Sequence, residues 1–293
     1  MFVSLTTNSP IDPHTQYLET ITMDSINKNL VKAVVNIFNP NRLANSVVRK
    51  KQVAMFHTGR CGSTVLGKLL KQNKDILWDG EIFEGAMVNR DANLSSNFVK
   101  NAIQYSSSKS VSKIYGFETK YLPQQHLSSN CLDLDLDSYI SILEDLGFNY
   151  FIVLQRNNYL RRAISSHVGR QSGKWHSAEK TDKPHKVYID VNNFQTGFTK
   201  QTILEHFECI DRTYEKLRKK LAHRALFISY EDDIENDPLI AYRKVCEYLS
   251  LELGAPEVKI KRTNEFSYQE IVENFEEVQK VLSNSHYSWM LKE

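Results

Sequence analysis

Short apolar runs recur along this chain with helix-length segments between them, and that alternation limits the fold more than any other feature. Val53-Ala54-Met55-Phe56, Tyr150-Phe151-Ile152-Val153-Leu154 and Ala225-Leu226-Phe227-Ile228 are the clearest, with a weaker run over 113–117. Each has the length of a strand buried on both faces. Helical periodicity follows the first run at Val65, Leu66, Leu69 and Leu70. It is strongest over 203–221, where Ile203, Leu204, Phe207, Ile210, Tyr214, Leu217 and Leu221 share one face. Asp237-Pro238 predicts a capped helix running to about Leu249. Ser267-x-x-Glu270 predicts a capping box opening a last helix to about Leu282. Strands alternating with helices imply a parallel sheet covered on both faces, an α/β sandwich of three layers. One such domain is expected over 51–293. Residues 1–50 are polar and broken by Pro10, Pro13 and Pro40, so they read as a peripheral N-terminal arm.

Composition narrows the function classes. With 41% hydrophobic residues in 293, the chain can build a sizeable core. The 37 Lys+Arg against 35 Asp+Glu leave a net charge of +2, which gives no footprint for a nucleic-acid binder. Cys61, Cys131, Cys209 and Cys246 are far apart and form no C-x-x-C, so a reducing compartment fits best. The first thirty residues hold no continuous apolar stretch, and the longest apolar run is too short to span a bilayer. The expectation is a cytoplasmic protein with no membrane partner; the sequence leaves a homodimer open.

In parallel sheets, ligands bind beyond the carboxyl ends of the strands. After the first strand come His57-Thr58-Gly59-Arg60-Cys61-Gly62-Ser63-Thr64. Two glycines let the backbone approach a ligand, and a helix N-terminus carries roughly half a positive charge. Arg60 adds a full charge, and Ser63 and Thr64 add hydroxyl donors. A plain turn capped by Ser63 is the simpler alternative, but glycines, arginine and paired hydroxyls together favour an anion site.

Two motifs are decoys. Gly62-x-x-x-x-Gly67-Lys68 has the spacing of an ATP-binding loop, but position 69 is leucine rather than the hydroxyl that holds Mg²⁺. The third strand ends in Gln155-Arg156, with no Asp to serve a metal. Asp133-x-Asp135-x-Asp137 has the spacing of a calcium loop, but its sixth position is Ser138 instead of glycine. Asp137 capping a helix over 138–146 explains the same residues.

The segment 156–186 holds eight Lys/Arg and two acids, a local excess of +6. Such concentration beside a strand end suits a multiply charged anion. Arg156 leaves the strand, and Ser165 lies along the next helix, so the two can grip one phosphate from two sides. A solvated helix face bearing Arg161 and Arg162 produces the same composition.

With both segments in view, the chain resembles the sulfotransferases that use 3′-phosphoadenosine 5′-phosphosulfate (PAPS), in particular the bacterial branch that includes trehalose sulfotransferase and enzymes tailoring small metabolites. The resemblance runs from about Gln52 to Leu291. It rests on Arg60-Cys61-Gly62-Ser63-Thr64 for the 5′-phosphosulfate, and on Arg156 and Ser165 for the 3′-phosphate. Further matches are Phe227-Ile228-Ser229-Tyr230-Glu231-Asp232 followed by Asp237-Pro238, and Glu273-Asn274-Phe275-Glu276-Glu277. It implies a P-loop-like sandwich that works without a metal and takes PAPS as co-substrate. Asn157 stands where the family often has a second basic residue, and Arg156 and Ser165 are nine positions apart, which leaves Arg161 and Ser166 as alternatives. Lys261-Arg262 is similar to the family's basic C-terminal loop over the 3′-phosphate, without its usual glycine.

The implied reaction is in-line sulfuryl transfer to an oxygen or nitrogen of a small-molecule acceptor. Arg60 and the helix N-terminus would stabilise charge on the leaving phosphate. Trp78-Asp79-Gly80-Glu81-Ile82-Phe83 resembles the branch's acidic-aromatic segment, and Glu81 matches its base; an ordinary loop carboxylate is the alternative. His57, beside the turn, is a second candidate base, unless it only packs at the strand end. Trp175 and His176 are candidates for the acceptor pocket wall. A small-molecule kinase with a degenerate ATP loop, or a non-catalytic nucleotide-binding protein, are the competing classes.

Overall fold

The computed structural model describes residues 51–83, 96–108, 114–123, 125, 134–173, 183–196, 199–260 and 266–292. The arm over 1–50 lies outside the described residues, as do Trp175, His176, Lys261 and Arg262. Along the chain run β1 (Lys51–His57), α1 (Ser63–Leu70), β2 (Ile76–Glu81), α2 (Ser96–Ser107), β3 (Ile114–Lys120), α3 (Leu136–Asp145), β4 (Tyr150–Gln155) and α4 (Tyr159–Ser172). A short hairpin follows, β5 (Phe194–Thr196) and β6 (Thr199–Gln201), then α5 (Ile203–Leu221) and β7 (Ala225–Ser229). The last elements are α6 (Tyr230–Asp233), α7 (Pro238–Leu249), α8 (Tyr268–Ile271) and α9 (Phe275–Ser283).

Five strands form one parallel sheet in the order β2-β3-β1-β4-β7. The apolar runs are continuous because both faces of the sheet are covered. Val53 and Met55 pack into one layer with Leu66 and Leu69 of α1 and Val245 of α7. Ala54 and Phe56, one residue out of phase, pack into the other with Tyr139 of α3, Leu160 of α4 and Phe207 of α5. The expected three-layer α/β sandwich is the observed architecture. From β1 the chain moves to the β2 side of the sheet, whereas from β4 it moves to the β7 side. The crevice where connections diverge therefore lies between the carboxyl ends of β1 and β4, the place where such sheets bind ligands.

The helices over 203–221 and 238–249 fall where their patterns predict, and Asp237 caps the latter through the Leu239 N–H at 3.0 Å. Elsewhere the structure corrects the sequence. The cap of α3 is Asp135, which accepts from the Ser138 N–H at 2.7 Å; Asp137 lies inside the first turn and pairs with Lys216 at 2.7 Å. The capping box at Ser267 and Glu270 is present, but the helix stops at Ile271. Val187 runs alongside, donating to the Ile271 carbonyl and accepting from the Glu273 N–H, so the backbone at Val272 is drawn into an extended bridge and α9 starts afresh. Strand β3 is longer than its apolar run, because Glu118 and Thr119 are buried with polar partners. Strand β2 carries only the three-residue apolar run Ile76-Leu77-Trp78, too short to stand out beside the others, and Gly80 (φ 69°) is a bulge where the pairing to β3 shifts register.

Candidate anion-binding and transfer site

The turn leaving β1 adopts a left-handed backbone at Gly59 (φ 75°), Arg60 (φ 56°) and Gly62 (φ 88°). A Cβ at Gly62 would lie 2.8 Å from Ile234, so only glycine fits there. Arg60 bears a side chain in this conformation at a cost of about 1 kcal/mol, so neighbouring contacts must hold it. They do. Its Nε donates to the Ser165 hydroxyl at 3.0 Å, and its carbonyl accepts from Arg156 Nη1 at 3.3 Å. The Thr58 carbonyl accepts from Arg162 Nη1 at 3.1 Å and from Gln125 Nε2 at 3.0 Å. Two carbonyls that would repel an anion are thus engaged by guanidinium donors. Gly62, not Ser63, is the N-cap of α1, so Ser63 does not play the capping part of the plain-turn alternative.

Arg60, Arg156 and Ser165, paired by motif alone, therefore meet at one turn. Arg161, the alternative to Arg156, instead stacks 5.1 Å from the ring centre of Tyr268. Arg156 lies 4.2 Å from the ring centre of Tyr230 and is buried, and its Nε has no hydrogen-bond partner among the described residues. Burial lowers its pKa, Tyr230 and Glu231 opposing that, and burial with the nearby Arg156 charge lowers that of Arg60. Both guanidiniums stay charged, but they stand partly stripped of water, a state that an incoming anion relieves. The Phe227–Asp232 stretch supports this arrangement from the next strand. Its Glu231 accepts from the N–H groups of Asn157 and Asn158, each at 3.0 Å, and fixes the turn that delivers Arg156.

Beside this turn, at the ends of β1, β2 and β3, is a second group. Glu81 ends β2 rather than sitting in a loop, and Lys120 Nζ contacts its Oε2 at 2.6 Å. His57 Nε2 lies 3.7 Å from Glu81 and 3.8 Å from Glu118. Trp78 Nε1 donates to Glu118 at 2.9 Å. The fully buried His57 accepts the Gly59 N–H on Nδ1 at 3.1 Å, so its neutral ring carries its proton on Nε2. Burial and then Lys120 hold its pKa well below the usual value. In that tautomer the ring presents an N–H, not a lone pair, on the side of the carboxylates, and its Nε2 has no hydrogen-bond partner among the described residues.

His57, Glu81 and Glu118 also bring metal-ligating atoms within 4.8 Å of one another. A metal would need the Nε2 lone pair that the tautomer fills with a proton, and Glu81 already faces the Lys120 ammonium. The group does not fit a metal. The ATP-loop spacing is a decoy in three dimensions too, since Lys68 is exposed in the last turn of α1.

Sequence reasoning missed Glu118, Lys120 and Arg162, and took Tyr230 only as part of the Phe227–Asp232 match. The first two follow the apolar run of β3, and extending that strand by three residues would have found them. Arg162 read as surface, but it is buried, with Nη2 2.6 Å from His206 Nε2.

No protein-family model matches the chain, and no curated protein matches it. Among solved structures, the chain is similar to a sulfotransferase from Alicyclobacillus acidocaldarius, with a TM-score of 0.45 and 12% identity, covering 84% of this chain and 95% of that one.

Proposed function

We propose that the protein is a PAPS-dependent sulfotransferase that modifies a hydroxyl, or an amine or carbamoyl nitrogen, of a small metabolite. The observation that carries this reading is the convergence of Arg60, Arg156 and Ser165 on one glycine turn at the crevice of the sheet. The buried Nε of Arg156, without a partner among the described residues, supports an anionic ligand there. PAPS, when bound, supplies the sulfuryl group and a bisphosphate leaving group.

Gly59 to Thr64 would hold the 5′-phosphosulfate, and Arg156 with Ser165 the 3′-phosphate. Arg60 would stabilise the charge growing on the departing oxygen, a contribution that commonly lowers a barrier by ~3–4 kcal/mol. Glu81 would take the acceptor proton, held in place by Lys120. His57, its Nε2 proton facing the carboxylates, would orient them rather than act as base. Lys261, Arg262, Trp175 and His176 remain candidates for covering the nucleotide and the acceptor. Leu69 and Arg156, standing where a nucleotide-bound Mg²⁺ would need a hydroxyl and an acid, support transfer without a metal.

Among the described residues no helix is long and apolar enough to cross a membrane, and Cys61 and Cys246 are free thiols, which supports a reducing, cytoplasmic setting. No nucleic-acid partner is proposed, and a homodimer is open. Incubation with PAPS and a panel of alcohols and amines, read by mass spectrometry, should give products heavier by ~80 Da, the mass of SO₃, with and without EDTA. An absolute Mg²⁺ requirement, or phosphorylated products from ATP, would overturn the reading.

A further inference from the structure

Glu118 is the least expected group in the site. It lies in the middle layer of the molecule, on β3, with only 7% of its side chain exposed, and among the described residues its one ion-pair contact is to His57. Its neighbours come from every adjoining element: His57 on β1, Trp78 and Glu81 on β2, Lys71 at the end of α1, and Lys120 two residues along its own strand. Gly67 of α1 makes room for it; a Cβ there would meet the Glu118 carboxylate at 2.3 Å. The fold has therefore cleared a space for this carboxyl group next to a second one.

Two cations act on this pair, and they are placed unequally: Lys71 and Lys120 both oppose ionic repulsion at Glu118, but only the contact of Lys120 with Glu81 is close among the described residues. Lys120 Nζ is 2.6 Å from Glu81, and among the described residues no comparable contact reaches Glu118, whose hydrogen-bond partner is a neutral indole N–H. Two like charges near one another in a poorly solvated place resist ionising together, and the proton is held to higher pH by the carboxyl that is more buried and has no close cation contact among the described residues. That carboxyl is Glu118, against 19% side-chain exposure for Glu81.

We infer that Glu81 and Glu118 form a coupled pair holding one proton, with Glu118 as the protonated positioning residue that leaves Glu81 as the anion next to the transfer site. The inference rests on the sulfotransferase reading for its purpose: a neutral carboxyl group adds no repulsion toward a multiply negative donor, while Glu81 keeps its capacity to accept a proton. Burial first, and then the Glu81 charge, against the opposing indole bond, push the Glu118 pKa up to about 7.

Trp78 reports on this proton directly, since its indole N–H bonds to Glu118. The test is an NMR titration of the full-length protein labelled with ¹⁵N at tryptophan, across the neutral range, with the Trp78 indole assigned by Trp78→Phe. The expected result is a Trp78 transition with a midpoint near the Glu118 value of about 7, which disappears in Glu118→Gln. Glu81→Gln should move the midpoint down by about one pH unit, because it removes the neighbouring anion. A Trp78 resonance that stays flat in the wild-type protein, or a midpoint unmoved by Glu81→Gln, overturns the inference. Neither readout involves PAPS or an acceptor. A protein that shows both titrations yet never transfers a sulfuryl group refutes the transfer reading and leaves the shared proton standing.

Discussion

The Nε of Arg60 donates to the hydroxyl of Ser165 across 3.0 Å, joining the turn after β1 to the helix after β4. The two residues are 105 positions apart in sequence and meet only because β1 and β4 are neighbours in the sheet. This bond holds a left-handed arginine in the crevice with its charge beside the N-terminus of α1.

Removing Ser165 should therefore weaken ligand binding without unfolding the protein. A hydrogen bond to a charged group is worth about 1.5 kcal/mol or more, so Ser165→Ala should raise the Kd for 3′,5′-bisphosphoadenosine about tenfold by calorimetry. Arg60→Ala should lower turnover by about 10²–10³. Unchanged binding in the first variant, or near-normal turnover in the second, would remove these roles.

Arg162 bears on stability. Its guanidinium is buried and bonds the Thr58 carbonyl and His206, and burial lowers its pKa. Arg162→Met should strip a bond from each partner and cost about 1–3 kcal/mol for each group stranded, read as a lower urea midpoint. A midpoint within error of the wild type would show that the network contributes nothing.

Stability should also depend on pH through Glu118. Its pKa rises from 4.5 to about 7 on folding, so the folded state binds a proton that the unfolded state has already lost. The favourable contribution is complete below the unfolded value of 4.5 and falls away as pH rises to about 7. The loss is on the order of 3 kcal/mol. Glu118→Gln escapes that loss. Relative to the wild type, the variant should gain stability as pH rises through this window in urea unfolding; a constant difference would contradict the linkage.

Gly67 offers a test of the packing beside that carboxyl. Alanine in a helix interior normally stabilises by about 1 kcal/mol over glycine. Here the added methyl would collide with Glu118 at 2.3 Å and Trp78 at 3.0 Å, so Gly67→Ala should lower the Tm. Glu118→Ala in the same chain should restore part of the loss, and a stabilised single variant would show that the space is not as tight as described.

The sheet was legible because buried parallel strands leave unbroken apolar runs, and the helices over 203–221 and 238–249 were legible because their caps and stripes are local. The anion turn was legible for the same reason: glycines, Arg60 and hydroxyls lie within six residues. What escaped depends on contacts distant in sequence. Glu118 and Lys120 are polar residues continuing an apolar strand, and their partners there, the indole of Trp78 and the carboxylate of Glu81, come from a different strand. Arg162 resembles any arginine on a basic helix until Thr58 and His206 are brought against it. The break at Val272 required Val187, from a distant part of the chain, to run alongside.

Calorimetric titration of 3′,5′-bisphosphoadenosine and of Mg·ATP into the wild-type protein and Arg156→Ala, with EDTA present in the first series, addresses the central claim most directly. Tighter binding of the bisphosphate than of Mg·ATP, insensitive to EDTA and weakened at least tenfold by the substitution, is the expected outcome. Stronger binding of Mg·ATP, or equal bisphosphate affinity in the variant, would contradict it.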